Sequence, residues 1–292
     1  MSTATAADLA RLSLNQKTTD SWSLPEAIDG CVRAGLESIG VWREPLADIG
    51  VPQAKRLLDA AGLRVSSLCR TGFFTTDDPD ARRAAIDENV AGIREAAAIG
   101  AECLVIVAGG LPAGSRDLPG ARARAADAIA ELPPIAGEHG VRLALEPMNP
   151  IYTADRGVLA TLGEALDLAE RFPVEQVGVV VDSFHVWWDP QLVAQVARAG
   201  DRIASFQVCD WITPLPADSL LARGMMGDGH IDFTHHFDLV TAAGYAGDIE
   251  VEIFNADIWA SDPDEVLATM KARYASAVLG LAAVPAASGA GE

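Results

Sequence analysis

The chain has 292 residues, half of them hydrophobic, which suffices for one large domain with a complete buried core. A formal charge of −19, from 22 Lys and Arg against 41 Asp and Glu with no basic run, argues against nucleic acid as a partner. The start of the chain lacks an apolar signal-peptide core and no later run is apolar for long enough to span a bilayer, so a cytoplasmic protein without a membrane partner is expected.

Residues 1–10 read as a short N-terminal extension. A strand at 12–15 is followed by a helix pattern at 24–34 that Gly35 stops, then by a strand at 38–42 and a helix at 51–61 that Gly62 stops. The alternation continues with a strand at 65–68, a long amphipathic helix at 80–99, a strand at 103–107, and a helix at 118–139 broken or kinked at Pro133-Pro134. Strands at 142–146, 177–182, 203–208 and 249–254 are separated by helices at 161–172, 191–199 and 231–243, and a last helix spans 263–281. Strands alternating with helices imply right-handed parallel units, and eight of them imply closure. The expected fold is therefore α/β, a single (β/α)8 barrel over 11–281, a length that matches the roughly 250 residues typical of such barrels. Residues 282–292, mostly Ala, Gly, Ser and Pro, are expected to be a disordered tail. Cys31, Cys69, Cys103 and Cys209 lack paired C-x-x-C spacing and are expected to be reduced, buried thiols.

Four consecutive strands end in oxygen donors. Leu143-Ala-Leu-Glu146 offers Glu146, Gly178-Val-Val-Val-Asp182 offers Asp182 with His185 three residues on, Ile203-Ala-Ser-Phe-Gln207 offers an amide, and Ile249-Glu-Val-Glu252 offers Glu252. Strand ends at the C-terminal face are where barrel enzymes keep their chemistry. One such carboxylate can equally cap a helix or pair with a lysine; four aligned donors make a site. Glu250 shares its strand face with Glu252 at a spacing of two, and geometry alone does not choose between them. Asp210 either supports His185 or Arg223 as a second shell or starts a loop, and His230, His235 and His236 suit exposed or capping roles. All six tryptophans, Trp22, Trp42, Trp187, Trp188, Trp211 and Trp259, follow predicted strands, and Trp42 and Trp187 are placed at the pocket mouth to stack on substrate. Arg43, Arg70, Arg156 and Arg223 are the rim arginines, too few for a phosphate group, which favours an unphosphorylated sugar or glycoside.

The segments Leu145-Glu146-Pro147-Met148-Asn149, Asp182-x-x-His185, Gln207-Val-Cys-Asp210, Gly227-Asp-Gly-x-Ile231-Asp232 and Gly244-Tyr-x-Gly-x-x-x-x-Glu252 occur in that order. Together they resemble the sugar phosphate isomerase/epimerase family of the xylose isomerase-like TIM barrel superfamily, which includes D-tagatose 3-epimerase and hydroxypyruvate isomerase. The resemblance implies that Glu146, Asp182, Gln207 and Glu252 bind a divalent metal and that Glu146 and Glu252 flank the substrate as acid and base. It also implies that His185 and Arg223 contact the substrate, and Asn149 of the first motif is grouped with them. The family usually has His where this chain has Gln207. An amide oxygen is the harder, weaker donor, so Mn²⁺ is the expected metal, with Mg²⁺ or Co²⁺ as further choices, and Zn²⁺ is disfavoured.

The implied reaction isomerises or epimerises a ketose or keto-sugar through a metal-stabilised enediolate, with the paired glutamates moving the proton. The runner-up is a lyase on the same machinery, an inosose-type dehydratase or a deglycosidase of 3-keto C-glycosides. A DNA-repair endonuclease would need more His ligands and a basic face, and a non-catalytic sugar-binding barrel would not need an acid–base pair. A homo-oligomer is expected, with a partner subunit required if the chain is a deglycosidase.

Overall fold

The structure is a computed structural model and describes residues 5–281; the predicted tail at 282–292 lies outside the described residues. Each predicted apolar run forms a strand: β1 Leu12–Asn15, β2 Ser38–Trp42, β3 Arg64–Gly72, β4 Cys103–Val107, β5 Arg142–Glu146, β6 Val177–Asp182, β7 Ile203–Val208 and β8 Ile249–Val251. All eight pair in parallel with their sequence neighbours, and β8 closes on β1 through the pairs Leu12–Ile249, Ser13–Glu250 and Leu14–Val251.

The closure follows from burial on both sides of the sheet. Outward-facing residues such as Leu12, Ile39, Leu104, Leu143 and Val179 pack under the helices, in one continuous core. The inward set is smaller and comprises Cys69, Cys103, Val105, Ala144 and Val180, with Trp42 and Phe254 above them. All four cysteines are buried and free. Burial pushes the Cys31 thiol up to about 12 and raises that of Cys103 as well, which keeps both unreactive. Among the described residues no helix is long and apolar enough to cross a membrane.

Local signals set the helix limits. Ser23 and Glu26 form a capping box that starts the helix Leu24–Ala34, and Gly35, at φ 68°, ends it. The expected helix at 118–139 is two helices, Leu118–Ile129 and Pro133–Glu138, because Pro133 has no N–H to continue the ladder and starts a new first turn. The helix expected at 231–243 runs Phe233–Ala242, with Asp232 as its cap, and the last one ends at Arg273 in a wider turn, Tyr274–Val278. Within the N-terminal extension, Thr5 and Asp8 cap a short helix, Ala6–Leu9.

Three differences bear on the site. β3 is longer than expected, and its register against β4 shifts between Leu68 and Thr71, which carries Arg70 past the strand rows below it. β8 stops at Val251, so Glu252 sits just above the last paired residue. The third is a small antiparallel hairpin, which the sequence patterns did not reveal: Asp210–Trp211 pairs with Arg223–Gly224 and lays Arg223 across the top of the barrel.

Candidate active site

Asp182 ends β6, and its Oδ1 accepts the Phe184 N–H at 2.8 Å, capping the single-turn helix Ser183–Val186. That turn swings His185 inward over the strand end while Oδ2 of Asp182 remains free to face the barrel axis. Gln207 is the β7 partner of Asp182, Glu146 ends β5, and Glu252 follows β8. All five side chains are buried.

Arg223 ties this group together. Its Nη1 lies 2.9 Å from both Asp182 Oδ2 and Glu252 Oε2, and Nη2 lies 3.1 Å from His185 Nε2. The guanidinium is held between the rings of Phe184 and Phe254, at 4.8 and 5.2 Å. His185 Nδ1 accepts the backbone N–H of Asn149 at 3.0 Å, so a neutral ring carries its proton on Nε2, 3.7 Å from carboxylate oxygens of both Glu146 and Asp182, and the approach of Arg223 Nη2 to Nε2 is then a donor–donor contact rather than a hydrogen bond. Burial pushes the imidazole down to about 3, which keeps it neutral. Burial, and then the charges of Glu252 and Asp182, raise Glu146 well above the ordinary carboxylate range. Glu252 is pushed up to about 7, by burial first, while Arg223 pulls it back.

The two glutamates of β8 separate clearly. Glu250 lies one layer down, where Asn15 Nδ2 donates at 2.6 Å, Ser66 Oγ at 2.6 Å, Ser67 Oγ at 2.9 Å and Gln207 Nε2 at 3.3 Å. It is a fully partnered barrel-floor residue, and a Cβ on neighbouring Gly40 would come within 2.5 Å of its carboxylate. Glu252 instead lines the open cavity and pairs with Arg223. Glu250→Ala strands those donors, so it is expected to destabilise the protein by about 1–3 kcal/mol, since an unpaired buried polar group costs that much. Chemical denaturation checks this, and an unchanged midpoint would contradict the floor role.

The donor set fits a hard divalent cation. Gln207 Nε2 turns to Glu250, and its Oε1 is a buried acceptor with no partner among the described residues. Ligand atoms of Glu146, Asp182 and His185 come within 4.8 Å of one another. Three buried carboxyls, with Arg223 as their close countercharge and His185 beside them, are of the chemistry that could hold a divalent cation.

Above these groups opens a cavity. Glu146, Glu252, His185, Arg223 and Trp42 line it. Several expectations are corrected. Asn149 does not line it: its Oδ1 caps the next turn at Ile151, and its Nδ2 donates to the Phe184 carbonyl, so its link to the site is the backbone N–H that fixes His185. Trp187 does not line it either, because its ring turns outward against Trp211, 5.8 Å away, beside a separate groove. Of the six tryptophans only Trp42 faces the cavity; Trp22 packs under Arg33, and Trp259 donates its indole N–H to the Lys17 carbonyl at 2.6 Å. Asp210 touches neither His185 nor the Arg223 side chain. It accepts the backbone N–H groups of Gly227, Gly229, His230 and Ile231, and so anchors the loop that follows the Arg223 hairpin. Among the rim arginines, Arg43 turns away to Glu88 and Glu95, while Arg70, Arg156 and Arg223 face the cavity. Phe73, Asp155 and Phe254 complete the wall; sequence reasoning missed them, although Phe254 continues the run that carries Glu252.

Comparison with known proteins agrees with this fold. The family described as Xylose isomerase-like TIM barrel matches residues 28–274. A 3-dehydroshikimate dehydratase of Pseudomonas aeruginosa is 28% identical over 247 residues, 80% of this chain but only 37% of that protein, so the chain spans little more than a third of that relative's length. An inosose isomerase of Halalkalibacterium halodurans is 23% identical over 271 residues, covering 89% of this chain and 94% of that one. Among solved structures, protein SMc04130 from Sinorhizobium meliloti superposes with a TM-score of 0.90 at 45% identity, over 92% of this chain and 98% of that one. An IolI protein with a bound zinc atom superposes at 0.80, with 21% identity over 92% and 98% of the two chains, and shares the fold. The match over most of the barrel shows that the chain belongs to the xylose isomerase-like TIM barrel family, whose relatives here are sugar isomerases, epimerases and a dehydratase.

Proposed function

We propose that the chain is a divalent-metal-dependent isomerase or epimerase of a ketose or keto-sugar. One observation carries this reading: two buried glutamates, Glu146 and Glu252, line the same small-molecule cavity above a cation-type donor set of Asp182, Gln207 and the glutamates themselves. A bound cation, Mn²⁺ for this oxygen-rich set, would supply Lewis-acid polarisation of the substrate carbonyl. The chain's own groups do the rest. Glu252 takes the proton from the carbon next to the carbonyl and keeps it, while Glu146, held protonated by its buried surroundings, gives up its own proton at the oxygen or at the opposite face of the carbon, and exchange with solvent resets the pair. Environments that push two carboxyls apart in acidity are how acid and base roles divide. Neutral His185, its Nε2–H fixed by the Asn149 backbone, donates a hydrogen bond to a substrate oxygen, and Arg223 holds the developing negative charge.

A second reading is favoured by the 28% identity to a dehydratase over 80% of the chain. The same proton abstraction, followed by loss of a β-hydroxyl that receives a proton from Glu146, would release water and leave an unsaturated ketone.

The metal requirement is tested by titrating the chelator-treated protein with Mn²⁺ in a calorimeter. Saturable one-to-one binding is expected, weakened at least tenfold in Asp182→Asn. No binding to the wild-type protein would sink the metal-dependent reading.

A further inference from the structure

The proposal concerns Arg70, and it rests on the reading that substrate reacts in the cavity above Glu146 and Glu252. In a chain of 41 acidic residues, many arginines outside the cavity find carboxylates, among them Arg43 with Glu88 and Glu95, Arg64 with Asp248 and Glu37, Arg83 with Asp87 and Glu131, and Arg198 with Asp167 and Glu170. Arg70 lines the cavity and, among the described residues, its guanidinium has neither an ion-pair partner nor a hydrogen bond. Instead it is clamped between aromatic faces, 4.7 Å from the Phe73 ring centre and 5.6 Å from that of Trp42.

The clamp is itself built at a cost. Phe73 holds a left-handed backbone, φ 65°, a conformation that a bulky non-glycine residue adopts only where the surroundings impose it. The Phe73 N–H bonds to the Val107 carbonyl at 2.9 Å and the next N–H to that of Ala108 at 3.0 Å, which holds the strained residue against β4. Its ring is nevertheless 46% exposed at the cavity mouth. Trp42 is pinned from the other side, its indole N–H donating to Asn15 Oδ1 at 2.8 Å. Strain and an exposed ring serve no core, but together they hold an aromatic face against a guanidinium that lines the ligand space with its N–H groups unpaired. The positive charge of Arg70 also reaches Glu146 and Glu252, lowering both carboxyls, as expected for a group facing the same cavity.

From this clamp we infer that Arg70 is a carboxylate receptor and that the substrate is a polyhydroxylated keto acid, its ketone above Glu146 and Glu252 and its carboxylate on Arg70. A rigid guanidinium fork matches a planar carboxylate in bidentate fashion. A phosphate monoester is disfavoured because its second charge would face Glu146, Glu252 and Asp155 in the same wall. Arg156, more loosely held by Asp155 and Asp218 at 3.5 and 3.6 Å, adds positive potential on the opposite lip.

The test is calorimetric binding of D-glucuronate, quinate and shikimate, each against its methyl ester, with glucose 6-phosphate as the phosphate probe. Wild type, Arg70→Gln, Arg70→Lys and Glu252→Gln are compared, and thermal melts check folding. At least one carboxylate is expected to bind about 10- to 100-fold more tightly than its ester, the range for a hydrogen-bonded charge. Arg70→Gln removes that preference without lowering the melting temperature, Arg70→Lys restores part of it, and Glu252→Gln keeps it. Equal binding of acid and ester, a preference that survives Arg70→Gln, tighter Arg70-dependent binding of the phosphate, or no binding of any acid would each overturn the inference. Because the acid-over-ester preference is read from binding alone, with no turnover required, failure of the chemistry proposed above and failure of the carboxylate receptor give different results.

Discussion

Glu252→Gln is expected to cut turnover by about 10²- to 10⁴-fold, the usual worth of a positioned general base. The amide keeps the shape of the side chain and its contact with the Asn15 amide region but cannot accept a proton. The protein should stay folded, because the change removes one negative charge from a buried group that already holds Asp182 and Glu146 beside it. Steady-state rates on any substrate that the wild-type enzyme turns over, with a thermal melt alongside, check both halves. A variant retaining more than a tenth of wild-type turnover would remove Glu252 from the proton path. Glu250→Ala should show the reverse pattern, with stability lost first, because its partners are floor hydroxyls and amides rather than the cavity.

Arg223→Met is expected to destabilise the chelated protein by about 3–5 kcal/mol, the cost of removing one partner from a buried ion pair. At about 2–4 °C per kcal/mol for a chain of this size, that is a drop of roughly 6–20 °C in melting temperature. Nη1 is the near countercharge of Asp182 Oδ2 and Glu252 Oε2, and methionine leaves both buried without it. Saturating Mn²⁺ should restore most of the loss, since a cation held by these carboxyls would supply positive charge in place of the guanidinium. A melt in chelator that matches wild type would mean that the carboxylates are neutral in the folded protein. A large drop that Mn²⁺ fails to reverse would instead place the metal elsewhere.

Much of the barrel was legible because its signals are local. β-branched runs such as Val177–Asp182 can only be buried strands, and Gly35 and Gly62 end helices by a backbone conformation that is readable one residue at a time. The strand-end donors were legible for the same reason, since a polar residue closing an apolar run must point at the rim. What the sequence did not show is long-range. Period-two alternation puts Glu250 and Glu252 on one face, and only the serines of β3 and Asn15 of β1, distant in sequence, make one a floor residue. Trp42 and Trp187 both follow strands, yet Trp42 rises beside β1 and is tethered by Asn15, whereas Trp187 follows the turn of helix that points His185 inward and is carried to its outer side. Arg70 was placed on the rim, but its lack of a partner and the strained Phe73 over it depend on the register shift in β3, which no pattern in the chain announces. Counting rim arginines pointed to an unphosphorylated sugar or glycoside; seeing which of them are paired adds the inference of a carboxylate on that sugar.

The central claim is that this cavity removes a proton from carbon next to a carbonyl with the help of a divalent cation. The direct measurement is deuterium incorporation from D₂O, read by proton NMR, into a panel of ketoses and polyhydroxylated keto acids incubated with the wild-type protein in Mn²⁺ and, separately, in chelator. The account predicts exchange at a carbon next to the carbonyl in at least one compound, dependent on Mn²⁺ and abolished in Glu252→Gln. Exchange that persists in chelator, or that survives in Glu252→Gln, would contradict it.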